Sequence, residues 1–206
     1  YSNNSPTVNP YQTYQGTAGK SDAFALKLNF SGNGLIYSTY LGGGNDDGAR
    51  AIGLDGSGNA YIAGTTLSTN FPTANAYQFD PGDSREDAFV VKLSAAGNAL
   101  LYGTYIGGDS ADVGTGLAVD GSSNAYLVGF TSSTNFPTKT PFQTRQGSID
   151  AFVVKLGTAG NTLTYGTYLG GSGADYAQAV AVDGGGNAYI AGFTRSSGFP
   201  TQNPFQ

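Results

Sequence analysis

Acidic side chains recur in glycine-rich segments at equivalent places along the chain, which is an arrangement that a calcium site would need. Calcium binds carboxylate and carbonyl oxygens. The spacing differs from that of a calcium-binding loop, and the third segment keeps one carboxylate, so a solvated turn is the simpler interpretation. We therefore expect no metal and no other cofactor. The candidate ligands, in GGGNDDGA, GGDSADVG and GGSGADYA, are Asp46, Asp47, Asp109, Asp112 and Asp175.

The chain contains neither histidine nor cysteine. This composition removes the commonest general base and the commonest metal ligand, together with any disulfide or cysteine-based metal site. A glycosidase needs two carboxylates in one cleft, and one acidic residue per repeat does not build that pair. We therefore expect no enzymatic activity.

Two further residue types could carry chemistry. Lys27, Lys92 and Lys155 recur within one strand-like segment, where each could cross-link or bind a ligand. The structural alternative, which we favour, has the lysine stem covering apolar surface while the ammonium reaches solvent or a nearby aspartate. The sequons NNS at Asn3 and NFS at Asn29 would accept an N-glycan if the source organism glycosylates its exported proteins.

The elements that must position these residues form a threefold repeat. DAFALKLNFSGNGLIYSTYLGG starts at Asp22 and returns in closely similar form at Asp87 and Asp150. We expect these aspartates to bond backbone groups at the start of a strand. We divide the single domain, 1–206, into a leading segment with a partial repeat and three full repeats; the boundaries are 1–21, 22–86, 87–149 and 150–206.

Each repeat contains four strand-like segments bounded by turns rich in Gly, Asn and Asp. In the middle repeat they are Ala88 to Leu93, Leu100 to Ile106, Gly116 to Val119 and Ala125 to Thr131. The third segment alternates branched with tiny residues, as expected of an innermost blade strand near a crowded axis. We predict four-stranded antiparallel blades without α-helix; their inner strands are Ala49 to Leu54, Gly114 to Val119 and Ala177 to Val182.

Pairs of tyrosines in the second segment lie three residues apart, so the two rings point to opposite faces of the strand. Such rings could wedge between successive blades. The pairs are Tyr37 with Tyr40, Tyr102 with Tyr105, and Tyr165 with Tyr168.

Composition supports an all-β protein and excludes several partners. The 33 glycines and the 26 tyrosines plus phenylalanines favour short strands and tight turns. The net charge is -5, with nine scattered basic residues, which argues against nucleic-acid binding. No apolar run approaches the roughly 20 residues of a membrane span.

The motifs DAFVVKL, YGTYIGG, AVDGSSNAYLVG and TSSTNFPT occur in this order, with variations, in all three repeats. They resemble the SBBP-type β-propeller repeat, which is found largely in secreted or surface proteins of bacteria and archaea. The resemblance implies a propeller fold and an extracellular or cell-surface location, and it supplies no catalytic motif. Three repeats are fewer than the roughly four blades of the smallest closed propellers, so we expect chain ends or neighbouring subunits to complete the ring.

Each repeat ends on a closing phrase, which reads NFPTANAYQ, NFPTKTPFQ and GFPTQNPFQ in the three copies. The similar PTVNPYQ near the start of the chain places this phrase at both ends. We predict that these phrases join copies of the protein head to tail, because exposed strand edges seek partners. We prefer an open filament over a closed ring of two chains. A longer closed propeller and a propeller module that binds a glycan or a protein are the alternatives. The predicted joint comprises Ser5, Pro6, Thr7, Asn9, Pro10, Tyr11, Phe199, Pro200, Thr201, Asn203, Pro204 and Phe205.

Overall fold

The computed structural model describes residues 6–80 and 85–205, and within them the protein is all-β, with twelve strands and no helix. No helix in this described part could span a membrane. The strands are β1 (Ala23–Leu28), β2 (Leu35–Leu41), β3 (Asp47–Leu54), β4 (Ala60–Thr66), β5 (Asp87–Leu93), β6 (Leu100–Ile106), β7 (Asp112–Val119), β8 (Ala125–Thr131), β9 (Asp150–Leu156), β10 (Leu163–Leu169), β11 (Asp175–Val182) and β12 (Ala188–Thr194).

The blades are offset from the sequence repeats by two strands. One complete blade has the order β3-β4-β5-β6 and the next has β7-β8-β9-β10, with antiparallel pairing throughout. Each blade therefore takes its inner two strands from one repeat and its outer two from the next. The remaining strands form two half-blades, β1-β2 at one end and β11-β12 at the other.

The expected four-stranded blades and their inner strands are confirmed. The inner strands β3, β7 and β11 begin two residues earlier than predicted, at Asp47, Asp112 and Asp175. The inner strand β7 packs between β3 and β11, so consecutive blades meet face to face near their inner edges.

Tight turns connect the inner pairs of strands. In the first of these turns, the Asp55 carboxylate accepts hydrogen bonds from the Ser57 and Asn59 amides, both at 3.0 Å. The fourth turn position has a positive φ, at Gly58, Ser123 and Gly186 in the three copies. An Asp-led Gly- and Asn-rich turn supplies both features.

The tyrosine pair of the first complete blade contacts both faces of that blade, as predicted. Tyr102 packs in the core cluster that reaches Leu127 of the following blade, whereas Tyr105 packs with Phe71 in the cluster that reaches Ala23 of the preceding half-blade. Both rings are almost fully buried. Burial of a large side chain contributes roughly 1.5–3 kcal/mol, so these rings bind successive blades together.

A glycine in the fourth strand of each repeat permits a β-bulge opposite it. A Cβ atom on Gly129 would lie 1.9 Å from the Val113 carbonyl oxygen, and the register shifts between Gly114 and Gly116. The other two copies, Gly64 and Gly192, are equally close to backbone carbonyls, at 1.9 and 2.0 Å. No side chain fits there without moving the backbone.

We expect Gly129→Ala to destabilise the fold strongly, by about 3 kcal/mol or more, because backbone atoms cannot yield as a side chain can. The matched control is Gly121→Ala, whose new methyl group would contact nothing. Urea unfolding followed by tyrosine fluorescence measures both variants. Equal stabilities would contradict the assigned bulge.

Candidate assembly interface

The two half-blades expose complementary strand edges. In the complete blades the fourth strand of one repeat pairs with the first strand of the next, as β4 does with β5. Among the described residues, β1 pairs with β2 alone and β12 with β11 alone. The chain thus presents outer strands without inner ones at one end, and inner strands without outer ones at the other.

Apolar side chains of β1 are exposed where their counterparts in complete blades are buried. Phe24 is 62% exposed and Leu28 is 52% exposed. The equivalent Phe89 and Leu93 are 0% exposed, because β4 and the neighbouring half-blade cover them. An apolar face of this kind is a typical interaction surface.

An open cavity of about 540 Å³ lies beside β12. Its walls include Ala151 and Leu169 of the last complete blade, Phe193 of β12, and Phe199. At the equivalent place one blade earlier, the Phe152 ring packs on Phe136, with ring centroids 4.4 Å apart.

The first closing phrase covers the outer edge of β2 in its own chain. Val8 and Ser38 exchange backbone hydrogen bonds of 3.2 and 2.9 Å. The Gln12 side chain donates to the Gly42 carbonyl at 2.8 Å and accepts from the Gly42 amide at 3.0 Å. Residues 6–12, which we call the strap, thereby protect an outermost strand, as Gln78 and Gln143 do in the complete blades.

The predicted joint residues therefore separate into two groups. Pro6, Thr7, Asn9, Pro10 and Tyr11 belong to the strap, and Tyr11 packs against the core cluster shared by β1, β2 and the first blade. Phe199, Pro200 and Thr201 line the cavity beside β12, and Asn203, Pro204 and Phe205 are exposed beyond it. Ser5 and the sequon residue Asn3 lie outside the described residues.

An Asp–Lys–Tyr contact fastens the central strand pair of each complete blade. Lys92 on β5 forms an ion pair with Asp55 (3.0 Å) and lies over the Tyr61 ring, 4.8 Å from its centroid. In the next blade Lys155 repeats this arrangement with Asp120 at 3.3 Å and with Tyr126 at 4.7 Å. The carboxylate and tyrosine come from one repeat and the lysine from the next, so the contact crosses the repeat boundary.

The third copy of this contact has its acceptor, but among the described residues no lysine or arginine forms an ion pair with it. Asp183 accepts hydrogen bonds from the Asn187 side chain (2.8 Å) and the Tyr189 hydroxyl (3.2 Å). The lysine of the corresponding strand position, Lys27, is exposed on β1 at the other end of the chain.

These features match one repeat family. The SBBP beta-propeller repeat model matches residues 36–72, 101–137 and 164–200, which is more than half of the chain. The chain belongs to the SBBP family. Each match runs from the second strand of a repeat into its closing phrase. A search of curated proteins found no match.

The SBBP protein uses its calcium candidates as hydrogen-bond acceptors. We expected them in loops, whereas Asp47, Asp112 and Asp175 are buried at the first positions of inner strands. Asp47, for example, accepts from the Gly43 amide at 2.7 Å and the Ser68 hydroxyl at 2.8 Å. No group of three or more acidic, His or Cys residues within 6–80 and 85–205 could hold a metal ion.

The other two calcium candidates are bound to nearby groups. Asp46 forms a 2.8 Å ion pair with Lys20, and Asp109 accepts from the Thr134 hydroxyl at 2.5 Å and from the Thr134 amide at 2.8 Å. These hydrogen bonds lower the pKa of both carboxyls. They tie neighbouring loops together in the way a turn carboxylate does.

Two of the aspartates that start the DAF segments, Asp22 and Asp150, bond backbone amides, as predicted. Asp22 accepts from the Gln15 amide at 2.6 Å, and Asp150 accepts from the Gln146 amide at 2.9 Å. In the β1–β2 turn, Asn29 of the second sequon exchanges hydrogen bonds with Asn33.

The expected aspartate near each lysine was not identified from the sequence, nor was the tyrosine, because the Asp-led segments such as DGSGN were interpreted as turns alone. The sequence does contain a signal for this contact. Tyrosine follows the turn aspartate by six residues in all three repeats, as in Asp55 and Tyr61, and the recurring lysine lies in the next DAF strand. The conclusion that the lysines are structural is confirmed for Lys92 and Lys155.

The pKa of Asp120 is lowered to about 2. Burial raises this pKa, but hydrogen bonds from the Asn124 side chain and amide, together with Lys155, outweigh burial. The carboxylate therefore stabilises the fold above its ordinary pKa of 3.8, and this contribution is lost as the pH falls through about 2. Burial raises the pKa of Asp47, so ionisation of this carboxyl at higher pH lowers the stability of the fold.

We expect Asp120→Asn to lower the free energy of unfolding by roughly 2 kcal/mol at about pH 6, and by much less at about pH 2. Urea unfolding across this pH range measures the difference, from which the contribution of Asp47 cancels. Asp183→Asn is the control, because no lysine pairs with Asp183 in the described part of a single chain. At a protein concentration low enough to keep the chain monomeric, this variant should lose less at pH 6. Equal losses in the two variants would show that the lysine contributes nothing.

Proposed function

We propose that this SBBP protein is a non-enzymatic structural protein of the extracellular space or cell surface that assembles head to tail with copies of itself. Its incomplete end blades are the joining elements. The composition supports this role, because a low-charge chain rich in tyrosine and glycine is suited to a durable extracellular structure.

The complementarity of the two half-blades carries the proposal. One end has the outer strands β1 and β2, the other has the inner strands β11 and β12, and together they have the strand content of one blade. Unpaired edges of this kind attract strands from other chains. The strap covers the outer edge of β2. Among the described residues, no strand pairs with the other edge of this hairpin, on β1, so that edge can accept a partner.

The same joint can build either an open or a closed assembly. The open product is the filament preferred from the sequence. The closed product is a ring of two chains, each of which contributes two complete blades and two half-blades. Six blades lie within the four to eight of typical propellers, so the blade count favours the ring. If each copy is instead displaced along the rotation axis relative to the previous copy, the assembly does not close and forms the filament.

The alternative, a module that binds a glycan or a protein, shares the fold and makes a different prediction. A glycan array gives no hits if assembly is the function. A micromolar ligand that maps to the loops at one end of the blades would favour the binding module.

We expect the wild type to form multimers at micromolar concentration and Leu28→Asp to be monomeric, because a charge on the apolar face of an edge strand opposes strand addition. The control is Phe30→Asp, which changes a fully exposed ring in the β1–β2 turn. Light scattering after gel filtration gives the mass, and electron microscopy distinguishes fibres from discrete rings. A wild type that stays monomeric at millimolar concentration would refute the proposed function.

A further inference from the structure

We propose that strand β1 of a second copy adds to β12 in the register of the complete blades, so that its Lys27 binds Asp183 and Tyr189 and its Phe24 enters the cavity beside Phe199. This inference rests on the proposed head-to-tail assembly. It specifies which edges meet, in which register, and which contacts select the partner.

The register follows from the two complete blades. Ala60 lies opposite Leu93 and Thr66 opposite Asp87, and the pairing of β8 with β9 repeats this alignment. The β12 sequence AYIAGFT and the β1 sequence AFALKL match the strands that pair there. The same alignment places Ala188 opposite Leu28 of the second copy.

In this register the lysine reaches its acceptors. Tyr61 pairs with Lys92, and Tyr126 with Lys155, so Tyr189 lies opposite Lys27 of the second copy. The Tyr189 hydroxyl already donates to Asp183, as the Tyr126 hydroxyl does to Asp120. The ammonium therefore finds a carboxylate and an aromatic face held as in the complete blades, which gives both attraction and register.

The cavity beside β12 accepts the phenylalanine of the same strand. Phe89 and Phe152 each pack on the closing-phrase phenylalanine of the preceding repeat, with ring centroids 4.4 Å apart. Phe199 is the third such residue, and its cavity opens against Ala151. Phe24 is the ring at the matching position of β1, and it is exposed within its own chain.

The joint also predicts competition for β2. In complete blades the closing phrase continues onto the outermost strand, as Lys139 does onto Gly166. After β12 docks, residues 201–205 reach the β2 edge of the second copy, which its own strap already covers. The strap therefore limits the strength of the joint without being part of it.

Charge exchange tests the contact directly. Lys27→Asp and Asp183→Lys should each weaken self-association at least about tenfold in sedimentation velocity. An equimolar mixture of the two variants should associate to within about threefold of the wild type, because each chain then offers the charge that the other needs. Lys27→Arg, which keeps the cation, should associate like the wild type, and circular dichroism checks that every variant is folded.

The outcomes separate the inference from the proposed function. A monomeric wild type would overturn both. A wild type that assembles while Lys27→Asp assembles equally well, or a mixture that fails to recover, would overturn this joint alone. Removal of residues 1–12 should leave self-association unchanged or make it tighter. If a folded variant without these residues no longer associates, the joint lies in the strap and the β1–β12 pairing is overturned.

Discussion

The pairing of the fourth strand of one repeat with the first strand of the next is the interaction on which the rest of the structure depends. It joins two repeats within every complete blade, through β4 with β5 and β8 with β9. A chain that begins at the first strand of one repeat and ends at the fourth strand of another therefore has a half-blade at each end. The exposed edges, the apolar faces and an Asp183 carboxylate with no lysine partner among the described residues all follow from this offset.

The Asp–Lys–Tyr contact illustrates how the pairing is stabilised locally. Its carboxylate organises the turn of one hairpin, and its lysine comes from the next repeat. An exposed ion pair contributes little, but here the Lys92 and Asp55 side chains are only 11% and 2% exposed, and the Tyr61 ring lies beneath the ammonium. Burial of this kind makes the contact selective for the correct neighbour.

The buried aspartates at the tops of the inner strands have a different task. Asp47 and Asp175 bond hydroxyl groups and amides of their own repeat, and the equivalent glycine corners leave no room for a Cβ beside them. Gly42, for example, would place a Cβ within 2.6 Å of Asp22 and 2.8 Å of Asp47. The recurring aspartates, which suggest a metal site in the sequence, belong to a corner of the fold that recurs in each repeat.

The sequence by itself determined the repeat, the strand segments, the inner-strand assignment and the opposite-facing tyrosines, because period-two alternation and turn residues are local properties of the chain. Only the tertiary structure established the pairing and register of β4 with β5 and of β8 with β9, since these depend on contacts across the repeat boundary. It also assigned the strap to its own β2 and Lys92 to Asp55, partners that lie more than 25 residues apart. Local pattern fixes what each segment becomes, and long-range packing fixes what it meets.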